Sequence, residues 1–375
     1  MPAVNGGAAT LQDEAEKEEP PEKMAVVPWP AAVAARYERR EKLGQGMFGD
    51  VYKAWDRVDG RVVAVKRLAG RTGGGFVQTG IRDFARQATS LAACRGHPSV
   101  VQLLATYTAD AGGGDGDCVL ATECAGPVNL REYMEIRRRE ELPFDEAEVR
   151  EVMRALLAGV EHAHGAGVLH RDVVPENVVV GQEGAAGARR MVYRISGFSM
   201  SEPAAARAAE RDGSGQLASP SPYRAPELFL GSREYDGRVD TWELGCIMAE
   251  LLFGAGAPFF GGCEKDDEVF EKMLRMVGAR GIVKWPGMKR VPAESDRAAC
   301  ARRLCRRREG RRGYLREVFP ERVLSPAGFK VLEGLLRSNP ERRLTAAKAL
   351  RMPWFRRRHG FFGCFRPCGG GGASP

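Results

Sequence analysis

Three short stretches carry residue types that together can move a phosphoryl group. In "GQGMFGDV" the glycines Gly44, Gly46 and Gly49 lead into Val51, in "VAVK" Lys66 closes a strand-like run, and in "HRDVVPEN" Asp172 stands five positions ahead of Asn177. A glycine-rich turn can fold over a nucleotide, and a lysine ammonium can reach its phosphate oxygens. An aspartate accepts the proton of an incoming hydroxyl, and an asparagine offers an amide oxygen to a metal on the same phosphates. Spaced glycines alone could simply make a tight turn, and a lone lysine could be structural. The Asp172 to Asn177 spacing is the specific signal. Jointly the three describe transfer of phosphate from a nucleotide to a hydroxyl.

These residues need elements to hold them. From Tyr37, "YERREKLGQGMFGDVYKAWD" and then "GRVVAVKRLAG" alternate apolar and polar residues around glycine turns, which predicts a small antiparallel sheet. After Leu130 the period becomes helical. "EVREVMRALLAGVEHAHGAG" sets Val149, Val152, Met153, Leu156, Leu157 and Val160 on one face and ends at Gly165 and Gly167. Residues 1–36 form an acidic segment whose first part, rich in Pro and poor in large apolar residues, cannot offset the entropy of ordering, so the segment is expected to be disordered. The tracts "GRTGGGFVQTG" and "DAGGGDGD" read as surface loops, and residues 357–375 as a flexible basic and glycine-rich tail. Cys364, Cys368 and His359 in that tail suggest a metal or a lipid anchor less than they suggest a frayed end.

The chain has 375 residues, 43% hydrophobic and 28% charged, enough for the core of one large or two ordinary domains. Its net charge of +8 fits an acidic partner or a diffuse arginine-rich surface, and binding to nucleic acid is not expected. Nine scattered cysteines and no secretory leader predict reduced thiols in the nucleus or cytoplasm, without a disulfide framework. The apolar run from Leu244 to Phe260 contains Glu250 and Pro258 and is too short to span a bilayer, so it predicts a buried helix and no integral membrane association.

Between Tyr37 and about residue 356 the motifs resemble those of the eukaryotic protein kinases. "YRAPEL" at Tyr223, "DTWELGCIMAELL" at Asp240, "KWPGM" at Lys284 and "NPERRLTAAKALRMPWF" at Asn339 look like the cyclin-dependent-kinase branch, most like its plant F-type members. The resemblance implies an α+β, two-lobed protein kinase fold over 37–356, with a sheet-rich lobe at about 37–124 and a helical lobe at about 125–356. It implies ATP held by Leu43, Gly44, Gly46, Gly49, Val51, Ala64 and Lys66. Thr122 is to stand behind the adenine, and Glu123 and Ala125 are to offer backbone groups to it. Asp172 and Lys66 take the catalytic roles, and Asn177 binds magnesium. Glu227 is to pair with Arg343, and Asp240 is structural.

The departures from the family pattern bear on activity. Counting back from His97 and allowing an inserted Gly96, Gln87 stands where a glutamate should pair with Lys66, and Val174 replaces the lysine of the catalytic loop. In "RISGFSMS", Gly197 takes the place of the metal-binding aspartate. Magnesium prefers anionic oxygens, and a loss of about 4 kcal/mol of metal stabilisation would slow transfer about a thousandfold. Glu202 is the nearest acid after the gap and a poor candidate to replace the ligand. The phosphorylated position falls at Gly215, with Ser214, Ser219 and Ser221 close by, and a phosphoserine there could meet Arg171. The helix "IRDFARQ" departs from the cyclin-docking pattern, so no standard cyclin is expected. "ARRLCRRREGRR" reads equally as an import or acidic-partner signal and as a solvated loop, and Cys305 within it and Cys300 just before it are not expected to form a zinc site. Two readings stand: an ATP-binding serine/threonine kinase with impaired transfer and weak magnesium use, or a pseudokinase acting as a nucleotide-responsive or structural binding module for protein partners.

Overall fold

A computed structural model describes residues 28–46, 49–68, 77–108, 118–185, 189–205, 221–254, 256–307, 310 and 312–356. Five antiparallel strands form the first lobe: β1 Tyr37–Gly46, β2 Gly49–Asp56, β3 Arg61–Leu68, β4 Leu103–Thr108 and β5 Cys118–Glu123. Their order is β1-β2-β3-β5-β4. Alternation sends Val63 and Val65 to one face and Ala64 and Lys66 to the other. The second face closes over the cleft between the lobes.

The first face is covered by chain that lies ahead of Tyr37. Residues 28–36, assigned above to the disordered segment, carry helix α1 (Ala31–Arg36), and Trp29 and Val33 are buried against Tyr37, Ala54, Val63, Val65, Val119 and Ala121. The Pro30 carbonyl accepts the amides of Val33 and Ala34, both at 2.9 Å, and the Arg36 guanidinium closes on the buried Asp56 carboxylate at 2.8 Å. Two apolar anchors and one ion pair outweigh a composition that on average looks too polar to fold.

Helix α2 (Val77–Ala93) begins inside the tract read as a loop and packs beside the sheet. The helical lobe starts with α3 (Leu130–Arg139) and α4 (Glu146–Gly165), each opened by a capping box, Asn129 with Glu132 and Asp145 with Glu148. On α4 the six positions picked out by periodicity are all buried. The Arg238–Phe253 helix is buried from Val239 to Leu251, its Asp240, Glu243 and Glu250 included, as its place in the lobe's centre requires. It stops where Gly254 takes φ 68°. Among the described residues no helix is long and apolar enough to cross a membrane, and no disulfide forms.

Candidate active site

Register builds the roof of the cleft. Gly44 faces Val51, Val51 faces Lys66, and Lys66 faces Leu120, so one row crosses four strands. Two residues along, Ala64 faces Thr122 on the same surface. The tip of the β1–β2 hairpin, residues 47–48, lies outside the described residues, and Leu43 is exposed on β1. Gly49 has a reason that the motif did not reveal: at φ 120°, a Cβ there would fall 2.0 Å from the Arg67 carbonyl oxygen. At the end of β5, Glu123 accepts the Gln102 amide at 3.1 Å and pairs with Arg194 at 3.3 Å. Ala125 follows at the junction of the lobes.

Asp240, wholly buried, holds the catalytic loop from below. Its carboxylate accepts the His170 and Arg171 amides at 3.0 and 2.7 Å and lies 2.7 Å from His164 Nε2. Burial alone would raise its pKa, but these partners hold it below the ordinary value. Glu243 accepts the Val173 amide at 2.7 Å. His170 Nε2 donates to the Ser196 carbonyl at 2.8 Å, and its Nδ1 accepts the Asp172 amide at 3.2 Å. Phe198 packs edge-on against His170, ring centroids 4.6 Å apart. The loop is thereby stitched to the 196–198 stretch.

Asp172 and Asn177 are brought side by side. The Asn177 amide nitrogen donates to the Asp172 carbonyl at 2.9 Å and to its carboxylate at 2.7 Å. Burial pushes the Asp172 carboxyl up to about 7. The Asn177 amide pulls it back, Glu176 adds to the rise and Lys66 opposes it. A base with that pKa is matched to work near neutral pH.

Two neutral side chains hold Lys66. Its ammonium donates to Ser199 Oγ at 2.8 Å and to Gln87 Oε1 at 3.1 Å. Burial lowers it to about 8, with Asp83 and Asp172 pulling the other way. Val174, where a lysine would touch the transferring phosphate, packs into the core instead. A lysine substituted at 174 would have to bury its charge.

Gly197 adopts φ 79° and ψ 32°. A Cβ built there meets Cγ and Oδ1 of Asn177 at 2.3 Å and Nδ2 at 2.7 Å. The volume of the missing aspartate is therefore taken by the amide of Asn177, and the position supplies no carboxylate of its own, a poor fit for magnesium. Gly197→Asp must push Asn177 off Asp172, so it is expected to change the effect of magnesium on ATP affinity by no more than about twofold. Paired ATP titrations with and without magnesium check this; a tenfold gain would show that Asn177 yields.

Glu202 is already engaged. It pairs with Arg171, and both side chains are buried, so it is turned to the catalytic-loop arginine and away from a metal-ligand role. Ser214 and Ser219 lie outside the described residues; Ser221 opens the turn Ser221–Tyr223. Glu227 and Arg343 meet as two parallel hydrogen bonds of 2.7 Å, fully buried. On α2, Phe84 turns into the core and Gln87 toward Lys66, leaving Ala85, Thr89, Ala92 and Ala93 outward. Ser199, Asp83 and the role of Glu202 escaped the sequence reading, although Ser199 stands two positions after Gly197.

A sequence profile described as "Protein kinase domain" matches residues 37–355. Cyclin-dependent kinase F-2 of Oryza sativa subsp. japonica is 46% identical over 325 residues, covering 85% of this chain and 90% of that protein. Cyclin-dependent kinase 20 of Pongo abelii is 32% identical over 84% of this chain and 81% of its own length. Cyclin-dependent kinase G-2 of Oryza sativa subsp. indica is 30% identical over 85% of this chain, which spans 41% of that protein.

Proposed function

We propose, from the premise that this chain belongs to the eukaryotic protein kinases in their cyclin-dependent-kinase-like branch, that it binds ATP and passes phosphate to protein serine or threonine only slowly. The observation that carries this reading is the pairing of an ordered Asp172–Asn177 loop with a Gly197 whose aspartate volume is filled. Asp172 takes the proton of the incoming hydroxyl, Asn177 orients that carboxylate, and Lys66 meets the phosphates. Magnesium, when it accompanies the nucleotide, would neutralise phosphate charge; with no carboxylate at Gly197, the protein adds little to its hold. The compartment that fits is the nucleus or cytoplasm, where buried thiols such as Cys94 and Cys246 stay reduced.

Transfer of radiolabelled phosphate to generic substrates, with magnesium or manganese, tests this. The wild type should run about a thousandfold below the roughly 1–100 per second of ordinary kinases, and Asp172→Asn should remove what remains. An ordinary rate overturns the impairment. A signal that Asp172→Asn leaves intact belongs to a contaminant and favours the second reading, a pseudokinase that presents a surface to protein partners. That reading draws on the Lys66 ammonium being satisfied within the protein by Ser199 and Gln87. The relatives' names speak of cyclins, but the outward residues described on α2, Ala85, Thr89, Ala92 and Ala93, are small, and we assign the chain no standard cyclin; one co-purifying in equal amount would remove that assignment.

Binding of ATP should depend on pH through Lys66. Without nucleotide, burial lowers Lys66 to about 8, and bound phosphates raise that value, so above it binding must take up a proton. Affinity is expected to be flat from pH 7 to the lysine's pKa and to weaken by up to about tenfold per unit beyond it. Calorimetric titrations between pH 7 and 9.5 measure this, and a flat profile to the upper end would mean that Lys66 does not meet the phosphates.

A further inference from the structure

The link between α2 and the loop after Gly197 is made of neutral side chains. Ser199 Oγ accepts from Lys66 at 2.8 Å and donates to Gln87 Oε1 at 3.3 Å, while Gln87 Oε1 also accepts from Lys66 at 3.1 Å. One turn further along α2, Ser90 Oγ lies 2.8 Å from Ser201 Oγ, which donates to the Phe198 carbonyl at 2.7 Å. Gln87, Ser90, Ser199 and Ser201 are all buried. The two helix residues are three positions apart and so share a face. Each serine meets its partner across the boundary between the lobes.

The donors and acceptors balance. A hydroxyl gives one hydrogen and accepts others, and an amide oxygen accepts two, so Ser199 and Gln87 together form a closed triangle with the ammonium. Among the described groups, the carboxylates that act on Lys66 include Asp83 on α2 and Asp172. Asp83 is taken by Arg86, and Asp172 by Asn177. A buried hydrogen bond to a charged group is roughly twice as strong as a neutral one. Several such bonds in series can do what one ion pair would. They also fix α2 with groups this chain supplies itself.

We propose that Ser199 is a positioning residue of Lys66, and that with Ser201 it clasps α2 to the helical lobe so that the lysine is aligned for nucleotide phosphates. This rests on the reading that the cleft takes ATP. Its structural half, the clasp, stands in the nucleotide-free protein.

Two measurements on the full chain separate the halves. Amide hydrogen exchange without nucleotide should show the Phe84–Ala93 stretch of α2 exchanging at least about tenfold faster in Ser199→Ala and in Ser201→Ala than in wild type. ATP titration should show Ser199→Ala binding about tenfold more weakly, a loss of roughly one hydrogen bond to a charged group. Adding Gln87→Glu to Ser199→Ala should restore affinity, because the new carboxylate meets the ammonium directly. It should also move the alkaline fall in affinity to higher pH, which a change in packing alone would not do. Wild type that binds no ATP sinks the nucleotide reading and leaves the exchange result to judge the clasp. Unchanged exchange in both serine variants overturns the clasp. ATP binding by Ser199→Ala equal to or tighter than wild type overturns the positioning role.

Discussion

Removing the Glu227 carboxylate should cost about 3–5 kcal/mol, the penalty for stranding a buried charge. Arg343 sits with both outer nitrogens on Glu227 at 2.7 Å, and its Nε donates to the Arg337 carbonyl at 3.0 Å. Both side chains are essentially inaccessible. With Glu227→Ala the guanidinium keeps its carbonyls but loses its counter-charge, and the short Pro226–Phe229 helix loses its tie to the lobe. The thermal midpoint should fall by on the order of 5–15 °C. Replacing both partners, Glu227→Leu with Arg343→Met, should be milder than either single change, because no charge is left buried. Exposed Lys53 and Glu41, 2.6 Å apart, supply the control: breaking that pair should shift the midpoint by no more than a degree or two. If the Glu227 and Lys53 variants melt alike, the buried pair is not what fastens this segment.

Glu202→Ala should be nearly as harmful to stability and harmless to metal use. Its carboxylate belongs to Arg171, which sits at φ 68° with its amide on Asp240. Taking the carboxylate away leaves a buried guanidinium short of its main counter-charge, a cost of about 3 kcal/mol. Glu202→Gln keeps an acceptor and should lie between. The ratio of ATP affinities with and without magnesium should stay at the wild-type value in both. A stable Glu202→Ala protein that has lost its response to magnesium would assign the carboxylate to the metal.

Much of this could be read from the chain. The buried face of α4 follows from helical period alone, because Val149, Val152, Met153, Leu156, Leu157 and Val160 are placed by local geometry. Lys66, Asp172 and Asn177 were found because their chemistry needs fixed spacings within short segments. What escaped depends on long-range approach. Ser199 meets Lys66 across 133 positions, and nothing in a lone serine announces that. The Glu202 pairing with Arg171 spans 31 positions and is set by a two-residue bridge between Glu202–Pro203 and Val168–Leu169. Gly197 was noticed as a missing carboxylate, but that Asn177 fills the space is a fact of packing. The motif "IRDFARQ" departs from the docking pattern, but that Phe84 within it is buried is decided by how α2 leans on the core.

Helix α1 has a practical bearing on how the protein is to be produced. A recombinant fragment cut at the family boundary, beginning with Tyr37, would discard Trp29 and Val33 and open to water the aromatic and aliphatic side of the sheet that they cover, where Tyr52 and Tyr107 also pack. Contiguous apolar surface of that kind drives self-association. The same cut removes Arg36 and strands the wholly buried Asp56 without its cation. A fragment begun at or before Pro28 keeps both, and solubility follows from those few residues more than from anything in the cleft.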